Sequence, residues 1–171
     1  MSAQNIILGD GVFSIGTTDI ALTRGGGSFV VEREYREIDA DGDFGPVKGR
    51  IRKIRSVAKL TLNALELLET NLPKLYPSTE EAAGVWTGKE DIEDADYQTV
   101  VTWTGTTKGG KEVVIEIENA INLENIDWAL VDKEEIVPEI TYTAAYLDSA
   151  RTTEPWSVTF AAVGEPEGEG E

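Results

Sequence analysis

The sequence predicts a mainly β fold with a single helix, and three observations support this prediction. Apolar and polar residues alternate with a period of two through most segments, as they do in half-buried strands. One segment alone has the spacing of an amphipathic helix. A chain of 171 residues that is 40% hydrophobic has the size and composition of one domain with one core. We therefore expect a single domain over residues 1–163, followed by an acidic, flexible tail over residues 164–171.

The clearest strand lies between Glu112 and Leu123. Its apolar side chains point to one side and its polar side chains to the other, which is typical of a sheet with one acidic face. The apolar set is Val113, Ile115, Ile117, Ile121 and Leu123, and the polar set is Glu112, Glu116, Glu118 and Asn122.

Four further segments alternate in the same way, namely 29–35, 97–103, 140–146 and 156–160. Between the second of these and the acidic strand lies Thr106–Lys111, which contains the pair Gly109 and Gly110. Such a pair supplies the positive φ angles of tight hairpin turns. We predict one long hairpin over residues 97–123.

The predicted helix begins at Asn63, whose side chain is suited to cap the first turn. Glu66 follows three residues later and completes a capping box. Pro73 ends the segment, because proline interrupts a helix. The apolar stripe of this helix consists of Leu65, Leu68 and Leu72. We expect one short helix that packs on the sheets.

The composition argues against several kinds of chemistry. The chain has no cysteine and no histidine, which removes disulfides, thiolate nucleophiles, the commonest metal ligand and the usual general base. With 32 acidic residues, carboxylate pairs of the kind that hydrolyse glycosides are always available, but no spacing singles out any two. We predict no catalytic, cofactor-binding or metal-binding residues, and a protein that is not an enzyme.

The net charge of −17 argues against tight binding of nucleic acid or anionic membranes. It is unevenly distributed. Residues 1–76 carry 10 basic and 10 acidic side chains, whereas residues 77–171 carry 5 basic and 22 acidic ones, so the second part holds all of the net charge. No apolar run reaches the roughly 18 residues that a membrane span needs. We expect no membrane partner and a protein that is intracellular when made.

The loop 39–49 begins like a calcium-binding loop, with acids at Asp39, Asp41 and Asp43. The later positions depart from that pattern, because Phe44 replaces the turning glycine and Arg50 replaces the bidentate glutamate. An acidic loop rich in turn residues is the better interpretation. Its length, like that of the polar run 87–96, is typical of binding elements or disordered segments.

A glycine run, Gly25–Gly27, could suggest a phosphate-binding loop, but the lysine and hydroxyl residue of that motif do not follow. We interpret it as a turn. A basic stretch lies on the next predicted strand, and its charges project from both faces. Its members are Lys48, Arg50, Arg52, Lys53, Arg55 and Lys59. In so acidic a chain, pairing with carboxylates of the same or a neighbouring subunit is favoured over pairing with phosphates.

The segment Asp41–Arg50, which reads DGDFGPVKGR, is followed by the basic strand and the capped helix. In this order of elements the chain resembles the major tail tube proteins of long-tailed, siphovirus-like bacteriophages over roughly residues 8–160. The resemblance implies a β-sandwich or barrel flanked by one helix. It also implies hexameric rings that stack into a hollow tube, in which inner strands complete a barrel across subunits.

The resemblance further implies which surfaces act in assembly. An acidic lumen would repel DNA phosphates and let the duplex slide during ejection. The candidate lumen residues are Glu112, Glu116, Glu118, Glu32 and Glu34. Loop 39–49 and the basic strand would contact neighbouring subunits, through Asp39, Asp41, Asp43, Phe44, Pro46, Lys48, Arg50, Arg52 and Arg55.

The expected partners are other copies of this chain and tail proteins such as the tape measure, terminator and distal tail proteins. DNA would pass through without specific binding, no cofactor is expected, and the location would be the tail of the virion. Two alternatives stay open at this point. One is the tube protein of a contractile tail or a secretion-type injection system. The other is a carbohydrate-binding or adhesion β-sandwich that uses Trp86, Trp103, Trp128 or Trp156 as a stacking platform.

Overall fold

The computed structural model describes residues 3–20, 23–65 and 70–161. The predicted mainly β fold is confirmed. The ten strands of these segments are β1 (Ile7–Ile15), β2 (Thr18–Ile20), β3 (Thr23–Glu37), β4 (Ile51–Ala64), β5 (Thr79–Ala82), β6 (Val85–Gly88), β7 (Gln98–Thr107), β8 (Glu112–Ala120), β9 (Glu139–Thr143) and β10 (Trp156–Ala161). One α-helix, α1, spans Leu72–Leu75, and short 3-10 turns lie at Ala3–Asn5, Asp94–Asp96 and Asp148–Ala150. None of the described helices is long and apolar enough to cross a membrane.

All strand pairs are antiparallel and form three sheets. The five-stranded sheet has the order β10-β8-β7-β1-β2, the three-stranded sheet has the order β3-β4-β9, and β5 pairs with β6 alone. The predicted hairpin over 97–123 is confirmed as β7 and β8, and Gly110 in its turn has a φ of 81°. The predicted strands 29–35 and 156–160 fall within β3 and β10, and the predicted strand 97–103 lies in β7 except for Tyr97. Of the predicted strand 140–146, only residues 140–143 belong to a strand, which is β9.

The two larger sheets pack face to face over one apolar core. The five-stranded sheet contributes side chains such as Phe13, Val101 and Ile117, and the three-stranded sheet contributes Leu62 and Tyr142. Burial of alternate residues on these strands places every second side chain on an outer face. The fold is therefore a sandwich with two separate outer surfaces.

The predicted start of the helix at Asn63 was wrong. Asn63 lies in β4, where it pairs with Glu139 of β9, and it caps no helix. A strand is favoured over a helix here because β4 is hydrogen-bonded on both sides and buries alternate residues up to Ala64. The predicted helical residues Glu66 and Leu68 lie outside the described residues, as does the predicted tail over residues 164–171.

The observed helix α1 comprises the four residues Leu72–Leu75, and Pro73 is in its first turn instead of ending it. The missing N–H of proline is not needed at that position. The hydroxyl of buried Tyr142 donates a hydrogen bond to the carbonyl of Lys74 at 2.6 Å, which fixes the helix against the three-stranded sheet.

The alternation predicted for residues 112–123 holds only as far as Glu118. Asn119 has a φ of 49°, in the left-handed region, and this interrupts the alternation, so that Ala120, Ile121 and Asn122 are all buried. Asn122 is consequently buried and donates a hydrogen bond to the carbonyl of Leu75 at 2.7 Å, whereas Leu123 is exposed. The predicted facing of these last two residues was wrong, while Ile121 is buried as expected.

The indole of Trp103 lies over the backbone of two glycines in the five-stranded sheet. A Cβ atom on Gly105 would come within 2.3 Å of this ring, and one on Gly11 within 2.5 Å. The two glycines are directly opposite each other in β7 and β1. They leave room for a large aromatic side chain between the sheets.

Candidate assembly surfaces

The most prominent feature outside the core is a hairpin arm, which we define as residues 34–55. It consists of the ends of β3 and β4 and the loop between them. Every residue of both strands in this part is exposed, whereas β4 becomes alternately buried from Ser56 onward. At roughly 3.3 Å per residue, the paired part from Glu34 to Glu37 alone extends about 10 Å beyond the sandwich. The arm is built of paired strands and is therefore a defined projection from the domain.

The loop at the end of the arm contains the acidic segment that resembled a calcium site. The carboxylate of Asp43 accepts hydrogen bonds from the backbone N–H of Ala40 at 2.9 Å and from Arg50 Nη1 at 2.6 Å. Within the described segments, no group of three acidic side chains is arranged to hold a metal ion. Asp43 thus closes the turn, and Phe44 stands fully exposed at its tip.

The base of the arm is fixed to the body by Glu154. Its carboxylate accepts hydrogen bonds from Lys53 on the arm, from the Tyr146 hydroxyl at 3.1 Å and from Trp156 Nε1 at 2.9 Å. The hydrogen bond from Lys53, aided by those from Tyr146 and Trp156, lowers the pKa of Glu154 to about 2. The Arg33 guanidinium lies 5.7 Å from the centre of the Trp156 ring, in a cation–π contact. One face of the arm is therefore anchored to the body.

The sequence pointed to neither Glu154 nor Tyr146 as part of this site. Both follow β9 in turns, and their role depends on the long-range approach of residues 146–156 to Lys53. The sequence of residues 146–156 has no hydrophobic periodicity that would predict such a contact. Alternation placed Tyr146 and Trp156 on predicted strands, but it did not indicate that they meet at Glu154.

The outer face of the five-stranded sheet is acidic and rich in hydroxyl groups. The predicted lumen residues Glu112, Glu116 and Glu118 lie together there, and Ser157 Oγ donates a weak hydrogen bond to Glu116 at 3.4 Å. The strand register places no lysine or arginine on this face among the paired residues. Its members are Val12, Ser14, Asp19, Val100, Thr102, Thr104, Thr106, Glu112, Val114, Glu116, Glu118, Ser157 and Thr159.

The other two predicted lumen residues, Glu32 and Glu34, lie on the opposite side of the sandwich. They belong to the outer face of the three-stranded sheet, opposite Val57 and Arg55. Glu32 is also paired with Lys59 at 3.1 Å. The structure therefore does not bring the five glutamates together on one surface of the subunit.

The predicted contact residues are all on the arm. The loop residues Asp39, Asp41, Asp43, Phe44, Pro46 and Lys48 are all exposed. On the strand, Arg52 and Arg55 are exposed, while Arg50 is half-buried against Asp43. The structure thus places this set on one projecting element.

The four tryptophans do not form a common platform in the part of the chain that the structure describes. Trp103 is in the core, and Trp156 packs at 5.8 Å from Phe29 beneath Arg33. Trp128 donates a hydrogen bond to the hydroxyl of Tyr76 at 3.0 Å. Trp86 lies on β6, in the separate two-stranded sheet.

No protein-family model matches the chain, and no curated protein sequence is similar to it. A comparison of folds does find a match, which covers 91% of this chain and 91% of the other, with a TM-score of 0.53 and 13% sequence identity. The chain shares its fold with the tube-terminating cap of the anti-feeding prophage. The structure of this cap was determined by cryo-electron microscopy. At this low identity the likeness to the prophage cap concerns the fold, and it extends over nearly the whole chain.

Proposed function

We propose that this chain is a structural subunit of a phage-type tail tube and has no enzymatic activity. It would self-assemble into hexameric rings that stack around a channel for DNA, as the tail tube proteins of siphovirus-like phages do. Tape measure, terminator and distal tail proteins would then be its other partners in the virion. The fold that it shares with a tube-terminating cap supports a tail-type structural role.

The observation that carries the proposal is the hairpin arm. A paired, exposed projection that ends in a fully exposed Phe44 has a defined shape but buries little in the monomer. Exposed apolar side chains of this kind mark interaction sites in soluble proteins. Ile38, Ile51 and Ile54 are also about half exposed on the arm. A neighbouring subunit that covers the arm would bury these side chains.

The outer face of the five-stranded sheet suits a channel wall. It carries Glu112, Glu116, Glu118 and Asp19 and no cation among its paired residues, so phosphates find no positively charged partner there. Its remaining positions are mainly hydroxyl-bearing or small side chains, which hold no positive charge. In the proposed tube this face lines the lumen. The three-stranded sheet lies on the side away from the lumen, and its arm points outward or along the tube axis.

Negative-stain electron microscopy of the purified chain over a concentration series tests this function. We expect rings at intermediate concentrations and hollow tubes at high concentrations, since stacking requires rings. The same samples in analytical ultracentrifugation should show a ring-sized species. A chain that remains monomeric at every concentration would count against the proposal.

A second candidate function is that of a cap that ends a tube, because the protein with the matching fold is such a cap. Both functions require rings, and they differ in whether rings of this chain stack on one another. Rings that never stack at high concentration, but bind the end of a tube made by another protein, would favour the cap. Tubes of this chain alone would favour the tube subunit.

A further inference from the structure

The outward face of the arm carries three arginines on two paired strands. Arg36 is directly opposite Arg52, and Arg55 is opposite Glu34. Ile54 is the extra residue of a bulge between these pairs, and the bulge keeps Arg52 and Arg55 on one side. All three arginines are exposed. We call these three residues the arginine face.

The anchored side of the arm points elsewhere. Lys53, which is opposite Tyr35, reaches Glu154 on the body, and Arg33 on the same side lies over Trp156. Since successive side chains of a strand alternate, the arginine face is directed away from these contacts. It continues the outer face of the three-stranded sheet and is open to a partner.

The arginine face has no ion pair with any described carboxylate. Other cations of the same hairpin do have one, because Arg50 pairs with Asp43, Lys53 with Glu154 and Lys59 with Glu32. Cross-strand partners on one face have Cβ atoms about 4.5–5.5 Å apart, and like charges at that position destabilise the pair. The Arg36–Arg52 pair therefore opposes the hairpin that contains it, unless an anion lies between the two side chains.

The charge of the whole molecule indicates where such an anion comes from. The arm holds six basic and five acidic residues, a net charge of +1, so the remaining residues of this −17 chain carry −18. Guanidinium groups bind carboxylates through paired hydrogen bonds of fixed geometry. A second copy of the chain thus offers many carboxylates to the three arginines of the arm that have no described ion pair.

We propose that the arginine face docks on an acidic surface of a second copy, formed by residues beyond position 76. The inference rests on the proposed function and specifies the chemistry of one contact between subunits. Because an arm of one copy meets a different surface of the next, the contact is heterologous. Heterologous contacts repeat, and they produce rings or open tubes.

DNA phosphate is a poorer partner for the same arginines. The body beside the arm carries a charge of −18 and repels a duplex, most strongly at low ionic strength. Carboxylates on a second copy attract the arginines, and added salt screens this attraction. The contact between copies therefore weakens as salt is added, without requiring nucleic acid.

The first experiment reverses the arginine face. The variant R36E/R52E/R55E is compared with a control, K108E/K111E/K133E, that changes the net charge equally at exposed positions away from the arm. Thermal unfolding monitored by circular dichroism checks that both variants fold. We expect the control to assemble like the wild type and the arginine variant to need at least ~10-fold higher concentration, in line with the loss of paired charges across an interface.

The outcomes separate the inference from the proposed function. If the wild type assembles and the arginine variant assembles equally well, the inference is wrong and the tube function stands. If the wild type stays monomeric at every concentration, both are contradicted. If the folded monomer binds duplex DNA and loses this binding in the arginine variant, phosphate is the ligand and the inference is overturned.

A second experiment locates the contact and does not depend on loss of assembly. Arg52→Lys keeps the positive charge and provides an amine that a carbodiimide can join to a carboxylate in direct contact. In a mixture of ¹⁵N-labelled and unlabelled chains, we expect mass spectrometry to find cross-links from position 52 to a carboxylate beyond residue 76 of another copy. Cross-links only within one chain, or none, would contradict the docking.

Discussion

Lys53 donates a hydrogen bond to Glu154, so the base of the arm is tied to a residue 101 positions later in the chain. Through this contact the direction of the arm depends on the segment between β9 and β10. The carboxylate of Glu154 also holds Tyr146 and Trp156. A projecting hairpin gains a fixed direction in this way, which a contact element between subunits requires.

Replacing Glu154 by glutamine tests this anchor. We expect the free energy of unfolding at pH 7 to fall by about 1 kcal/mol, after allowance for the partly exposed position of the pair. Urea denaturation measures the change. The control Asp148→Asn, which breaks the exposed Arg151–Asp148 pair, should leave stability within about 0.5 kcal/mol of the wild type.

The same variant has a defined pH dependence. The folded pKa of Glu154 is lowered to about 2, below the value of roughly 4.3 of an unfolded glutamate. Its stabilising contribution is therefore complete above about pH 5 and is lost as the pH falls toward 2. We expect the difference between wild type and Glu154→Gln to shrink over that range. A difference that is equal at pH 7 and pH 2.5 would contradict the lowered pKa.

Gly105→Ala tests the packing of Trp103. The added Cβ would come within 2.3 Å of the indole, so the ring must move. We expect a loss of about 1–3 kcal/mol in stability and a changed near-ultraviolet circular dichroism spectrum. Gly88→Ala is a matched control, because nothing lies within 4 Å of the position that its methyl group would take and its φ is not left-handed. Equal stabilities of the two variants would contradict the packing described.

We expect glycine at position 119 to be less destabilising than valine. Its φ of 49° is strained for a β-branched residue and ordinary for glycine. Asn119→Val should lower stability by about 1–2 kcal/mol in urea denaturation, more than Asn119→Gly does. Thr104→Val, on an outer-face strand position with ordinary geometry, should have little effect. If the valine variant proves as stable as the glycine variant, the left-handed φ at position 119 is contradicted.

Charge reversal tests the role of the acidic face. The variant E112K/E116K/E118K should still assemble, because these residues face away from the core and from the arm. Its tubes should retain duplex DNA at low salt and release it above about 0.5 M salt, as phosphate contacts do. Co-sedimentation of labelled DNA with tubes measures retention. The variant E112Q/E116Q/E118Q should be intermediate, and tubes of the lysine variant that retain no DNA would contradict the lumen assignment.

Most of the fold could be predicted from local sequence patterns. The period of two identified β7, β8 and the exposed side of β8, since one face of those strands is buried and the other is not. The turn at Gly110 and the exposure of loop 39–49 also followed from local chemistry. These features depend on residues that are close in sequence.

The errors came from contacts between distant residues. Asn63 and Ala64 were expected to begin a helix, but pairing with both β3 and β9 holds them in a strand. The apposition of Arg36 and Arg52 depends on a bulge at Ile54, which shifts the register by one residue. The separation of Glu32 from Glu112 depends on which sheet each strand joins. None of these relations has a signal within a single segment.

The central claim is that copies of this chain surround a channel with the five-stranded sheet toward the lumen. Cryo-electron microscopy of the assembled wild-type protein tests it most directly. We expect six subunits per ring, with Glu112, Glu116 and Glu118 facing a hollow channel and each arm contacting a neighbouring copy. An assembly in which that face points outward, or in which the arms touch no neighbour, would contradict the account.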